Sequence, residues 1–134
     1  MEITDKRVVV TGAASGIGKA LVHAFKEAGA GAVVAVDIDA EGVEQAAQEI
    51  GGLAIAANVA NEEDIQKVIQ EANDYAEGID IFCSNAGIAG VPGFIEMETS
   101  DWQNIWEINV MSHIFAAKHS RHCSFFTRRI LLFC

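Results

Sequence analysis

An apolar run, Val8-Val9-Val10, leads straight into Thr11-Gly12-Ala13-Ala14-Ser15-Gly16-Ile17-Gly18, and an apolar-periodic helix opens at Ile17. Few folds accommodate that order. Consecutive apolar residues suit a strand buried on both faces. Glycines let the chain turn sharply and let a ligand approach the backbone closely. The first turn of the helix that follows carries unpartnered N–H groups and a partial positive charge. Together they predict an anion site, of the kind that holds a pyrophosphate. The spacing is G-x-x-x-G-x-G, not the commoner G-x-G-x-x-G. It is not a Walker A loop either, because Ala13 stands where that motif needs its first Gly and Ala20 where it needs Ser or Thr.

The rest of the chain repeats the strand–helix alternation. The first helix places Ile17, Leu21, Ala24, Phe25 and Ala28 on one face and stops at Gly29. A second buried strand, Ala32 to Val36, ends at Asp37-Ile38-Asp39. A helix follows over 41–50, begun by Asp39 or Ala40 and ended by Gly51-Gly52, and then a third strand over Leu53 to Ala57. Asn61 is an N-cap with acids behind it, for a helix reaching about Tyr75 and broken by Gly78. A fourth strand spans Ile79 to Cys83, and a glycine-rich loop follows. Ser100-x-x-Gln103 reads as a capping box for a last helix, on which Trp102, Ile105 and Trp106 form an apolar stripe shared by Asn109. The tryptophans are expected in a core or an interface. Four alternations predict an α/β fold, a doubly wound parallel sheet in strand order 3-2-1-4.

Composition narrows the function. With 134 residues, 51% of them hydrophobic, the chain is one domain with a sizeable core. A net charge of −10 disfavours a nucleic-acid partner. Three cysteines without a C-x-x-C pair argue against a disulfide framework. His119-x-x-His122-Cys123 lacks a second ligand pair, so no metal site is expected. The N-terminus lacks a signal-peptide pattern, and no apolar run approaches a membrane span of about 20 residues. The expected product is a cytoplasmic enzyme or binding module.

In such a sheet ligands lie beyond the carboxyl ends of the strands, where the order reverses. Gly12 to Gly18, Asp37, Asn58-Val59 and Ser84-Asn85-Ala86-Gly87 all fall there. Asp37 lies 19 residues past Gly18, near the spacing of an acid that binds ribose hydroxyls. A carboxylate there repels a 2′-phosphate, and neither the second strand nor the glycine turn supplies a base to offset it. NAD is therefore favoured over NADP. Plainer roles stay open. Asp37 is also placed to cap the next helix, and Asn58 and Asn85-Ala86-Gly87 are turn residues in their own right. A methyltransferase of related topology would also place an acid after strand 2, although the glycine spacing and Ser84-Asn85-Ala86-Gly87 weigh against it. Asn109 needs hydrogen-bond partners wherever it lies, since an unpaired buried amide costs about 1–3 kcal/mol.

Thr11 to Gly18 resembles the T-G-x-x-x-G-I-G motif of the short-chain dehydrogenases/reductases. Ser84-Asn85-Ala86-Gly87 is similar to that family's N-N-A-G, with Ser in the first place, and Asn109 to the asparagine of its Asn-Ser-Tyr-Lys tetrad. The resemblance covers residues 5 to about 120 and implies a Rossmann fold binding NAD. Gly12, Ser15, Gly16, Ile17 and Gly18 would hold the pyrophosphate, and Asp37, with Ile38 beside it, the adenine ribose. Asn58 and Val59 match the family's Asp-Val pair near the adenine, with Asn replacing Asp. Asn85 and Gly87 would line the cofactor. The implied reaction is hydride transfer between nicotinamide and an alcohol or ketone, with a Tyr as acid/base, a Lys lowering its pKa and a Ser orienting the substrate.

The resemblance then stops. The sequence has no Y-x-x-x-K, and its single tyrosine, Tyr75, is followed four residues on by Ile79. The catalytic Ser and its strand are not evident, so Asn109 is the tetrad's sole representative. Residues 1–107 hold all 19 acids and five bases (net −14), whereas residues 108–134 hold four bases and no acid (net +4). The expected organisation is a partial NAD-binding domain over 1–119 and a basic, aromatic tail over 120–134, as a frameshift, alternative exon or truncation would produce. Family strands 5–7 are expected to be lacking, leaving strand 4 as an exposed edge, with Ile130 to Phe133 as a makeshift fifth strand the one alternative. The chain is expected to be inactive alone: an NAD-binding remnant of an oxidoreductase, or a non-catalytic module pairing with itself or a full-length relative through its last helix.

Overall fold

Valines on successive strands alternate between two cores, which is why the strands read as unbroken apolar runs. In the computed structural model, which describes residues 2–89, 95–120 and 130–133, the elements are β1 (Arg7–Thr11), α1 (Gly16–Glu27), β2 (Ala32–Asp37), α2 (Ala40–Ile50), β3 (Leu53–Ala56), α3 (Glu62–Ala76), β4 (Ile81–Ser84), α4 (Thr99–Trp106), a π-helical turn (Glu107–Met111), α5 (Ser112–His119) and β5 (Ile130–Phe133). The strands form one parallel sheet in the order β3-β2-β1-β4-β5. Val9, Val34, Val36 and Phe82 pack against Ile65, Val68 and Ile69 of α3 on one face. Val8, Val10, Val33 and Ile81 pack against Val22 of α1 and Val43 of α2 on the other. Strand residues one apart point to opposite faces, so a strand covered by helices on both sides must be apolar throughout.

Local signals set most boundaries. Gly29 (φ 84°) follows the last turn of α1, and Gly51 (φ 64°) caps α2 in the left-handed conformation. Asn61 caps α3, its Oδ1 accepting from the amides of Glu63 and Asp64. Glu77 (φ 57°), rather than Gly78, takes the left-handed position that ends α3. Its carbonyl is held there by Arg7 Nη1 at 2.6 Å.

Arg7 also clamps Asp80, through Nε to Oδ2 at 2.7 Å and Nη2 to Oδ1 at 2.8 Å, while its backbone amide donates to Oδ2. The guanidinium holds the Asp80 carboxyl below the usual carboxylate range. This clamp ties the starts of β1 and β4, the end of the sheet away from the carboxyl termini of the strands.

Three expectations for the C-terminal part need correction. The helix after the loop starts one residue before Ser100, at Thr99, behind Glu98. Its reciprocal cap runs from Asp101 Oδ2 to the Glu98 amide (3.0 Å), while Gln103 donates forward to Glu107. A short carboxylate in the first turn reaches back and also complements the helix dipole, which Ser100 and Gln103 cannot do together. Second, Trp102 and Trp106, expected in a core or an interface, are 40% and 56% exposed and α4 has no buried residue, which removes the core half of that expectation. Third, β4 is not the edge: Ile130–Phe133 pairs with it in parallel, Ile81 opposite Ile130 and Ser84 opposite Phe133. A short apolar run can satisfy the open backbone groups of a strand without any helical or alternating pattern of its own.

Candidate functional site

The carboxyl ends of β1, β2, β3 and β4 surround a cavity of about 410 Å³. Its floor is the glycine turn. Gly12 and Gly16 adopt φ of +71° and +54°, a region that only glycine enters without cost. A Cβ on Gly18 would overlap the carbonyl oxygen of Gly12, and one on Gly12 would lie 2.9 Å from the Ala86 Cα. Close packing of three chain segments therefore fixes both glycines. Nothing lies within 4 Å of a Cβ built on Gly16, so that position faces open space.

Helix α1 differs from the two helices that follow it. Asp39 caps α2 by accepting from the Gly42 amide (3.1 Å), and Asn61 caps α3. Ser15 makes no side-chain capping bond and no acid stands in the first turn of α1. Its N-terminal positive end is thus uncompensated by side chains and borders the cavity, an arrangement suited to a pyrophosphate.

Asp37 closes β2. Its Oδ2 accepts from the Ala14 amide (2.9 Å) and its Oδ1 from the Asp39 amide (3.1 Å). The cap of α2 is Asp39, so Asp37 is not the cap. The two bonds fix the carboxylate and leave further lone pairs for hydroxyl donors. Asn58, after β3, closes a tight turn through Oδ1, which accepts from the Ala60 amide (3.0 Å), while its own amide donates to Asp64 Oδ2 (3.0 Å).

The β4 side is pinned by Thr11, which is fully buried. Its hydroxyl oxygen accepts from the amides of Asn85 (3.0 Å) and Ala86 (3.1 Å) and donates to the Cys83 carbonyl, while Asn85 Nδ2 donates to the Thr11 carbonyl (2.9 Å). Asn109 secures the next stretch by pairing with the backbone of Ile88: Oδ1 accepts from its amide (2.9 Å) and Nδ2 donates to its carbonyl (2.8 Å). It does so from the π-helical turn, an extra residue that takes Asn109 out of phase with the α4 stripe. One turn on, His113 Nδ1 lies 2.6 Å from Ser84 Oγ, and burial pushes the imidazole pKa down.

All eleven residues nominated from sequence as cofactor contacts line this one cavity: Gly12, Ser15, Gly16, Ile17, Gly18, Asp37, Ile38, Asn58, Val59, Asn85 and Gly87. Asn109 acts on it through Ile88. Sequence reasoning missed Ala57, Ala86, Ile88 and Ile108 in the lining. All four adjoin nominated residues in the chain: Ala57 precedes Asn58, Ala86 and Ile88 flank Gly87, and Ile108 precedes Asn109. Among the described residues Asp37 is the single charged one of the lining. Tyr75 lies on α3, outside it, and is 47% exposed. His119 binds Glu62 at 2.7 Å, and no cluster of metal-ligating side chains occurs among the described residues; His122 and Cys123 lie outside them. No helix among the described residues is long and apolar enough to cross a membrane.

Residues 6–123 match the family model for short chain dehydrogenases. The chain is 38% identical over 119 residues to the NAD-dependent glycerol dehydrogenase of Listeria innocua, covering 87% of this chain and 46% of that protein. It is 34% identical over 125 residues to the 1-deoxy-11-beta-hydroxypentalenate dehydrogenase of Streptomyces exfoliatus, covering 88% and 45%. The structure of a 3-ketoacyl-(acyl-carrier-protein) reductase from Brucella melitensis complexed with NADH superposes with a TM-score of 0.83 at 34% identity, covering 87% of this chain and 49% of that one. The chain thus spans about half the length of the relatives it matches. Motifs, topology and family match agree: the chain belongs to the short-chain dehydrogenase/reductase family.

Proposed function

We propose that this chain is the NAD-binding part of a dehydrogenase/reductase acting on an alcohol or ketone, and that these 134 residues alone bind NAD(H) without turning over substrate. The observation that carries the reading is the cavity lining, in which an uncapped helix N-terminus sits beside Asp37 and, among the described residues, no Lys or Arg. In this reading the amides of α1 hold the pyrophosphate, and Asp37 accepts from both hydroxyls of the adenine ribose. Asn85, Gly87 and the Asn109-clamped loop at Ile88 shape the end facing β4. When bound, nicotinamide supplies or accepts the hydride. The proton that must reach or leave the substrate oxygen needs a positioned acid/base, and the sequence contains no Tyr-x-x-x-Lys to provide it. We place the cofactor-binding residues within 1–119, with 120–134 outside the family's catalytic pattern although its Ile130–Phe133 adds β5 to the sheet, and the protein in the cytoplasm.

Calorimetric titration tests the cofactor claim. NADH is expected to bind at least tenfold more tightly than NADPH, because the 2′-phosphate meets the Asp37 carboxylate. Asp37→Ala removes that repulsion and brings the two affinities together. Equal affinity of the wild-type chain for both cofactors refutes the preference, and steady NADH formation with secondary alcohols refutes the inactivity. A second reading, a non-catalytic partner of a full-length relative, is favoured by the exposed Trp102, Trp106 and Ile114 on α4 and α5. Sedimentation of the chain with such a relative discriminates it.

A further inference from the structure

The order of the strands also fixes where a purine would lie. Outward from the glycine turn come Asp37 at the end of β2 and Asn58 and Val59 after β3, all on one cavity. With the pyrophosphate at α1 and the ribose at Asp37, the base lies toward β3, beside Asn58. The hydrogen bonds of Asn58 decide what it offers there. Its Oδ1 accepts from the Ala60 amide at 3.0 Å. An amide N–H can be met only by an acceptor, so that contact identifies the oxygen and leaves Nδ2 as the other end of the side chain. Among the described residues Nδ2 has no partner. An aspartate in the same turn would use one oxygen for the Ala60 amide and keep the second as an acceptor.

We propose that Asn58 presents a hydrogen-bond donor, not an acceptor, to the edge of the purine, so that this cleft does not select a 6-amino purine over a 6-oxo purine. The inference rests on the NAD reading above and concerns only how the base is read. A 6-amino group is itself a donor and finds no acceptor in Asn58. A 6-oxo group is an acceptor and can be met by Nδ2. The Asp37–ribose contact and the apolar surfaces of Ile38 and Val59 are common to both bases; N1, an acceptor in the 6-amino purine and an N–H donor in the 6-oxo purine, differs in the same way for wild type and Asn58→Asp.

The test is calorimetric titration of the 134-residue chain with NADH and with reduced nicotinamide hypoxanthine dinucleotide, which differ only in the 6-substituent and its tautomer. The wild-type chain is expected to bind the two within about fivefold of each other, the size of one net hydrogen bond. Asn58→Asp keeps the Ala60 turn and restores an acceptor, so it should raise the preference for NADH about fivefold, the equivalent of one net hydrogen bond of about 1 kcal/mol. The ratio is taken within each protein, which cancels any change in the folded fraction. A wild-type preference for NADH above tenfold overturns the inference while leaving the NAD reading intact. An unchanged ratio in Asn58→Asp overturns it as well, and failure of the wild-type chain to bind NADH at all overturns both.

Discussion

Replacing Thr11 by Val deletes a single oxygen from the centre of the site. The two side chains have nearly the same volume and Thr11 is 1% exposed, so the change leaves no cavity and the loss is that of hydrogen bonds alone. The hydroxyl accepts from two amides, those of Asn85 and Ala86, at 3.0 and 3.1 Å. A buried donor left without a partner costs about 1–3 kcal/mol. Both residues are half-buried, which places each amide near the lower bound and the sum at about 2 kcal/mol. At a urea m-value of about 2 kcal/mol/M, the unfolding midpoint falls by about 1 M with the slope unchanged. Far-UV circular dichroism of a urea titration reads this directly. The same change frees the Asn85–Gly87 backbone to move, and NADH affinity should drop at least threefold. A midpoint shift under 0.3 M at unchanged slope would refute the account, because it would mean that these amides find other partners at no cost.

Gly18→Ala drives a methyl group into the Gly12 carbonyl, so the turn must open. NADH affinity, measured by calorimetry, should fall more than tenfold while far-UV dichroism keeps its helical signature. Asp80→Asn, far from the cavity, should leave the NADH:NADPH preference untouched and destabilise the chain by about 2 kcal/mol in urea, below the 3–5 kcal/mol of a fully buried pair because Arg7 is partly exposed. The Asp80 carboxyl is held below its ordinary value in the folded chain. Its contribution is therefore complete above the unfolded carboxylate value of about 3.9 and is lost as pH falls through the lower folded value. The stability difference between wild type and Asp80→Asn should accordingly shrink below pH 4, and a difference constant from pH 7 to pH 3 would contradict the ion pair.

Much of the fold was legible because its signals are local. Consecutive valines, Gly29 and Gly51 past helix ends and Asn61 before a run of acids act within a turn or two of themselves, so a linear reading finds them. The candidate cleft was legible because glycines at 12, 16 and 18 and an acid at 37 stand at a recognisable spacing, although Gly12, Gly18 and Asp37 also meet distant segments. What tertiary structure decided are relations between distant segments. Thr11 joins Asn85 and Ala86 more than 70 positions away, Asn109 grips Ile88 from a π-helical turn, and Arg7 finds Asp80. The tryptophans of α4 read as core or interface because periodicity reports an apolar stripe, not what covers it, and in the described structure both are exposed. Ile130–Phe133 had no period to declare it, and the unpaired backbone of β4 recruited it as a strand. Sequence alone determined which residues meet at the carboxyl ends of the strands. The fold decided how their polar atoms are committed: two backbone amides fix the Asp37 carboxylate, and the Ala60 amide takes the oxygen of Asn58.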